Sequence, residues 1–65
     1  AYGRLGEMGR SALALAEEAA LQGDLRTQRE MAARAERLLP DGPARLRAQD
    51  LTRAAEIERE ERRRR

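Results

Sequence analysis

Several residue types that carry chemistry in proteins are missing from this sequence. It has no Cys and no His, so it has no disulfide, no thiolate zinc ligand, no cysteine nucleophile and no imidazole base. Lys, Phe, Trp and Val are also absent, and Tyr2 is the single aromatic residue. No apolar run approaches the roughly 20 residues of a membrane-spanning helix. These absences weigh against most enzyme classes and against a membrane span.

Small and charged residues make up most of the chain. Of its 65 residues, 40% are hydrophobic and 40% are charged, and Ala is the commonest hydrophobic residue. A chain of this length buries only about 60% of the surface that its unfolded form exposes. We therefore expect one small domain whose core is completed by close packing of the backbone or by a neighbour.

The formal net charge of +2 is unevenly distributed. Arg and acidic residues balance over 1–40, and the excess of Arg comes from the last four residues, Arg62–Arg65. Acidic residues stand directly before them and would repel a phosphate backbone, and only Tyr2 is available for base stacking. The sequence therefore favours a solvated basic end over a nucleic-acid site.

The first helix is predicted from apolar residues at helical spacing. They are Met8, Ala12, Leu15, Ala16 and Ala19. Three Gly residues fall within residues 1–10, so we expect a loose start there and a regular helix from about Ser11. Gly23 fits a left-handed C-terminal cap, and Asp24 fits the N-cap of a following helix.

A second helix is predicted from about Leu25 to Leu39. Its apolar face consists of Met31, Ala32, Ala35, Leu38 and Leu39. If Leu38 is fully buried, Leu38→Ala should cost roughly 2–5 kcal/mol. Glu30 and Arg34 are spaced to form an ion pair one helical turn apart.

The breaker Pro40-Asp41-Gly42-Pro43 separates this helix from a third, with Pro43 at the first helical position. The third helix carries the stripe Ala44, Ala48, Leu51 and Ala55, while Leu46 and Ile57 point elsewhere. Every residue beyond Ile57 is charged, so we expect the helix to fray near Glu58 and residues 58–65 to form a solvated tail.

Small residues dominate the facing stripes. Short side chains let helix axes approach to the lower end of the usual spacing of about 8–10 Å. Because the linkers are short, successive helices should be antiparallel neighbours. The predicted fold is all-α, with an antiparallel hairpin and a third, capping helix packed over residues 11–57.

The spacing of these residues resembles a tetratricopeptide (TPR) repeat, a helical hairpin of about 34 residues. The matching positions are Ala12, Leu15, Ala19, Gly23, Asp24, Ala32, Ala35 and Pro40. Gln28 departs from the pattern, because the repeat normally has Ala there. The resemblance implies a hairpin that stacks against a neighbouring helix and holds protein partners.

A second resemblance concerns the segment after the second helix. Leu39-Pro40-Asp41-Gly42-Pro43, followed by Leu46-Arg47-Ala48-Gln49-Asp50-Leu51, is similar to the end of the TPR region in bacterial HExxH-type zinc metalloproteases. Arg45 stands where that family has Trp. The resemblance implies an accessory module in the periplasm or cell envelope. Its partners would be the protease body, a substrate protein or an assembly complex.

The expected function is therefore a non-enzymatic protein-protein interaction module without catalytic, cofactor-binding or metal-binding residues. The candidate partner contacts are the Arg residues on the outer face of the second helix, Arg26, Arg29, Arg34 and Arg37. A self-associating hairpin is the alternative, using the apolar positions Leu13, Leu21 and Leu46. An enzyme would have to rely on carboxylates, and the adjacent Glu17 and Glu18 diverge by about 100° on a helix.

Overall fold

Three helices account for most of the computed structural model, which describes residues 2–64 and the side chains of residues 4–64. They are α1 (Tyr2–Gln22), α2 (Leu25–Leu38) and α3 (Pro43–Arg64). Residues 2–64 contain no strand, so the predicted all-α class is confirmed. Helix α2 packs against both of its neighbours, and α1 and α3 touch less extensively. The arrangement is an antiparallel hairpin with α3 packed against it.

The predicted caps between α1 and α2 are confirmed. Gly23 has a φ of +75°, which L side chains rarely adopt. Its N–H donates to the Ala20 carbonyl at 3.3 Å, and the Asp24 N–H donates to the Ala19 carbonyl at 2.9 Å. These bonds satisfy carbonyls at the end of α1. The Asp24 carboxylate accepts a hydrogen bond from the Thr27 N–H at 3.2 Å and so caps the first turn of α2.

The connection between α2 and α3 begins with Leu39. Its backbone is extended, and its N–H donates to the Ala35 carbonyl at 2.8 Å. Gly42 has a φ of +153°, and Pro43 is the first residue of α3, as predicted. The Arg45 guanidinium donates a hydrogen bond to the Asp41 carboxylate at 2.6 Å. This tight reversal brings α3 back along α2.

The core consists almost entirely of Ala and Leu. Its main cluster is Ala12, Leu13, Ala16, Ala32, Ala35, Leu39, Ala48 and Leu51. Ala16, Ala32, Ala35 and Ala48 have no exposed surface. Because these side chains are short, the helix backbones approach one another closely. The predicted Ala stripes are therefore the packing surfaces of the fold.

The buried face of α1 agrees with the prediction only in part. Ala12, Ala16 and Ala19 are buried as predicted, whereas Met8 and Leu15 are 44% and 48% exposed. Leu13 is buried in their place, so the buried face is turned towards Leu13 and Gly9. Helix α1 must cover parts of both α2 and α3, and this places Leu13 in the shared core and leaves Met8 and Leu15 at its edge.

The start of α1 also differs from the prediction, because residues 2–10 are helical. Gly9 is the point at which this segment packs against the end of α2. A Cβ at this position would lie 2.8 Å from Cγ of Leu39 and 3.3 Å from the Leu38 backbone carbon. The missing side chain thus lets α1 contact the end of α2. The side chain of Tyr2, the single aromatic residue of the sequence, lies outside the described residues.

Leu39, and not Leu38, closes the core at the end of α2. Leu39 is buried and lies over Gly9, whereas Leu38 is only half-buried. The cost of roughly 2–5 kcal/mol expected for Leu38→Ala assumed full burial, so it does not apply. The chain turns extended at Leu39, which redirects its side chain towards α1.

The predicted fraying near Glu58 is wrong, because α3 continues to Arg64. Glu58 pairs with Arg62 at 3.7 Å and Glu60 with Arg64 at 3.9 Å. Residues 59–64 are exposed, as expected, so the end of α3 is a solvated helix supported by charge pairs one turn apart. Arg65 lies outside the described residues.

Polar contacts also join α3 to the hairpin. Gln28 is buried, and its amide nitrogen donates to the Leu51 carbonyl at 2.9 Å. The Thr52 hydroxyl donates to the Glu36 carboxylate at 3.0 Å. The long Gln28 side chain thus reaches from α2 to the backbone of α3.

Candidate interaction surfaces

A shallow apolar groove runs between α1 and α2. Its walls are Met8, Ser11 and Leu15 on α1 and Met31 and Arg34 on α2, with Ala12 at the base. Its volume is about 260 Å³. We call it the hairpin groove. Met8 and Leu15 lie at the surface because α1 turns Ala12, Leu13 and Ala16 towards the core.

A larger groove lies between α2 and α3. It is lined by Leu25, Arg26, Arg29, Glu30, Ala55, Arg59 and Arg62 and has a volume of about 570 Å³. We call it the arginine groove. The antiparallel packing of α2 and α3 brings the first turns of α2 beside the second half of α3. Leu25 and Ala55 supply the apolar part of this groove.

The structure separates the candidate Arg residues predicted from the sequence. Arg26 and Arg29 line the arginine groove, and Arg34 lines the hairpin groove. Arg37 is exposed and lines neither groove. The four residues therefore do not form one surface, and their role in binding stays a prediction.

Ion pairing differs from the expected pattern on α2. Glu30 contacts Arg26 at 3.3 Å, so the predicted pairing of Glu30 with Arg34 does not form. The Arg26 side chain is 85% exposed and the Glu30 side chain is 54% exposed. An ion pair this accessible to water contributes little stability, typically below about 1 kcal/mol.

Arg59 and Arg62 of the arginine groove were missed at the level of sequence. Both were assigned to a solvated end of the chain, and both are exposed. The sequence predicts the antiparallel return of α3 along α2, but it does not give the register that places Arg59 and Arg62 beside Leu25. That return brings the stretch around Ala55 to the level of Leu25, one turn before Arg59.

Asp24 is a titratable group whose role in the structure is clear. Hydrogen bonding from Thr27 lowers the pKa of the Asp24 carboxyl below its ordinary value of 3.8, as expected of an N-cap. Residues 4–64 contain no group of three or more acidic side chains placed to hold a metal ion. No helix in the described part of the chain is long and apolar enough to cross a membrane.

The fold and its two grooves define a small all-α domain of three helices with candidate binding surfaces between them. In the comparisons with known proteins, no family model, curated protein or solved structure matches this chain.

Proposed function

We propose that this chain is a non-enzymatic protein-protein interaction module and that the hairpin groove binds an amphipathic helix of a partner. The observation that carries the proposal is the exposure of Met8 and Leu15 beside Met31, in a chain whose large side chains are few. Apolar residues on two neighbouring helices, spaced about one or two turns apart, suit the apolar face of a third helix.

The packing of the three helices supports the hairpin groove as a binding surface. Helix α3 covers one side of the α1–α2 hairpin, and the hairpin groove shares no residue with the α2–α3 groove. Met is well suited to such a site, because its flexible side chain adapts to different partner shapes. A helix laid in the groove would therefore extend the packing that α3 begins.

The resemblance to TPR repeats points to the same role, because such hairpins stack helix against helix. The narrower resemblance adds a specific proposal, that the module accompanies a bacterial cell-envelope metalloprotease. Its partner would then be the protease body, a substrate protein or an assembly complex. An HExxH motif encoded in the same reading frame would support this origin, and a complete frame without one would contradict it.

Site-specific photo-crosslinking tests the interaction role. A benzoylphenylalanine in place of Leu15 should crosslink to one helical segment of one protein in a lysate of the source organism. Met31→Glu should abolish that crosslink, because it places a charge in the groove. The matched control carries the photo-reactive group at Leu21, which is 91% exposed and outside the groove. Equal crosslinking from both positions would contradict the proposal.

The same experiment distinguishes the alternative function, a self-associating hairpin. Leu21 and Leu46 are exposed as that hypothesis expects, whereas Leu13 is buried and unavailable. If a second copy of the chain occupies the groove, the crosslinked product will be a homodimer. Sedimentation would then show a shift towards the dimer at the higher of two concentrations. That result would contradict the proposal that a different protein binds the groove.

A further inference from the structure

We propose that the arginine groove binds an acidic peptide in which an apolar side chain is flanked by carboxylates. Two guanidinium groups come from α2, at Arg26 and Arg29, and two from α3, at Arg59 and Arg62. On each helix the two residues are three positions apart and share a face. The groove thus presents positive charge from both of its walls.

Part of this charge is left without a partner inside the molecule. Arg26 pairs with Glu30 and Arg62 pairs with Glu58. Arg29 and Arg59 have no ion-pair partner within 4.0 Å among the described residues. Glu30 is the single acidic residue among those lining the groove. A ligand carboxylate would supply the missing counter-charge and accept paired hydrogen bonds from a guanidinium.

The apolar part of the groove indicates the rest of the ligand. Leu25 is half-buried and lines the groove together with the Arg residues of both helices, whereas Ala55 is already buried. An apolar side chain of a peptide can cover Leu25 while its neighbouring carboxylates meet the guanidinium groups. A volume of about 570 Å³ is large enough for a few side chains and small for a folded surface.

Charge and composition favour a peptide over a nucleic acid. Acidic residues Glu56, Glu58, Glu60 and Glu61 lie along the same part of α3 and would repel an extended phosphate backbone. Residues 4–64 contain no aromatic side chain on which a base could stack. A short acidic segment can avoid those carboxylates because it needs contact only within the groove.

This site is separate from the one in the proposed function. The arginine groove and the hairpin groove lie between different pairs of helices and have no residue in common. Binding at one can therefore be tested with variants that leave the other intact. The photo-crosslink from Leu15 provides that second readout.

Fluorescence anisotropy with a labelled peptide Glu-Glu-Leu-Glu-Glu tests the proposal. The double variant Arg29→Gln, Arg59→Gln should weaken binding roughly five- to tenfold, because two exposed charge pairs are lost. The matched control is Arg37→Gln, Arg53→Gln, which removes the same charge from exposed positions outside the groove. It should change the affinity by less than about twofold at moderate salt, where distant charges are screened.

A second peptide and an oligonucleotide separate binding in the groove from attraction by overall charge and from nucleic-acid binding. The peptide Glu-Glu-Ser-Glu-Glu should bind several-fold more weakly, because it lacks the apolar side chain that covers Leu25. Equal losses in the groove and control variants would overturn the proposal, since binding would then reflect overall charge. Tighter binding of an oligothymidylate, lost in the same groove variant, would overturn it in favour of a nucleic acid. If the double variant unfolds at a lower temperature than the parent, the single variant Arg59→Gln, at an exposed position, replaces it in the binding test.

Discussion

Gly9 shows how a single residue determines the contact between two helices. In a helix, replacing Gly by Ala favours the folded state by about 1 kcal/mol. At Gly9 the new methyl would lie 2.8 Å from Cγ and from one Cδ of Leu39. Overpacking of this kind typically costs about 1–3 kcal/mol, so steric overlap should outweigh the helix propensity.

We therefore expect Gly9→Ala to lower the free energy of unfolding. The matched control is Gly6→Ala, where the nearest atom is the flexible end of Arg10 at 3.7 Å. Gly6→Ala should raise stability by up to about 1 kcal/mol. Urea denaturation measures both variants. Equal stabilisation by the two substitutions would mean that Gly9 is not packed against Leu39.

Where the burial of a residue was predicted wrongly, helical periodicity alone could not determine it. A helical stripe identifies which residues share a face, but Leu13 and Leu15 flank the stripe of Ala12 and Ala16 on opposite sides, because two positions turn a helix by about 200°. The presence of α3 beside α1 decides between them, and that contact is tertiary. Gln28 could not be predicted as buried for the same reason, because its hydrogen-bond acceptor is the Leu51 carbonyl on another helix.

At the scale of the element, the caps and breaks were predictable because they follow from local backbone chemistry. Gly23, Asp24 and Pro43 occupy the positions expected for a C-terminal cap, an N-cap and a first helical residue. The two ends of the chain were not predictable in this way. Glycines at the start and charges at the end suggested a loose helix entry and a frayed helix end, whereas packing at Gly9 and pairing along α3 support regular helix there.

The Asp24 cap gives α2 a pH dependence. The Asp24 pKa is lowered in the folded chain by hydrogen bonding from Thr27, so the carboxylate stabilises folding above the ordinary pKa of 3.8. This contribution is lost as the pH falls through the lowered folded-state value. Thermal melts between neutral and strongly acidic pH should therefore show a shallower loss of stability in Asp24→Asn, which caps without titrating. Parallel curves for the two proteins would contradict the role of this carboxylate.

The end of α3 should add helix without adding much stability. Removing residues 62–65 deletes the Glu58–Arg62 and Glu60–Arg64 pairs, each exposed and worth a few tenths of a kcal/mol, or about 0.2–0.5. The truncated chain should lose less than about 1 kcal/mol while its helical circular dichroism falls. The comparison belongs at moderate salt. A loss of several kcal/mol would mean that this segment is docked on the rest of the fold.

At the scale of the whole molecule, small side chains hold three helices together. The extents of 45 × 19 × 14 Å describe an elongated domain, with the exposed end of α3 extending past the first turn of α2. The number and order of helices could be predicted from the Ala stripes and the breaks between them. The arginine groove could not, because it depends on how far along α2 the returning helix lies. Packing sets the register of α3 along α2, and the sequence of either helix alone does not determine it.

The central claim is that fully buried Ala residues set the spacing between the helices, and one pair of substitutions tests it most directly. Ala32 has no exposed surface, whereas Ala14 is exposed on α1. Ala32→Leu inserts three heavy atoms into the packed interface and should lower the free energy of unfolding by about 1–3 kcal/mol or abolish folding. Ala14→Leu adds the same atoms at the surface and should stay within about 0.5 kcal/mol of the parent. Urea denaturation of both variants gives the result. Equal stability of the two would contradict the account, because the helices would then not be in close contact at Ala32.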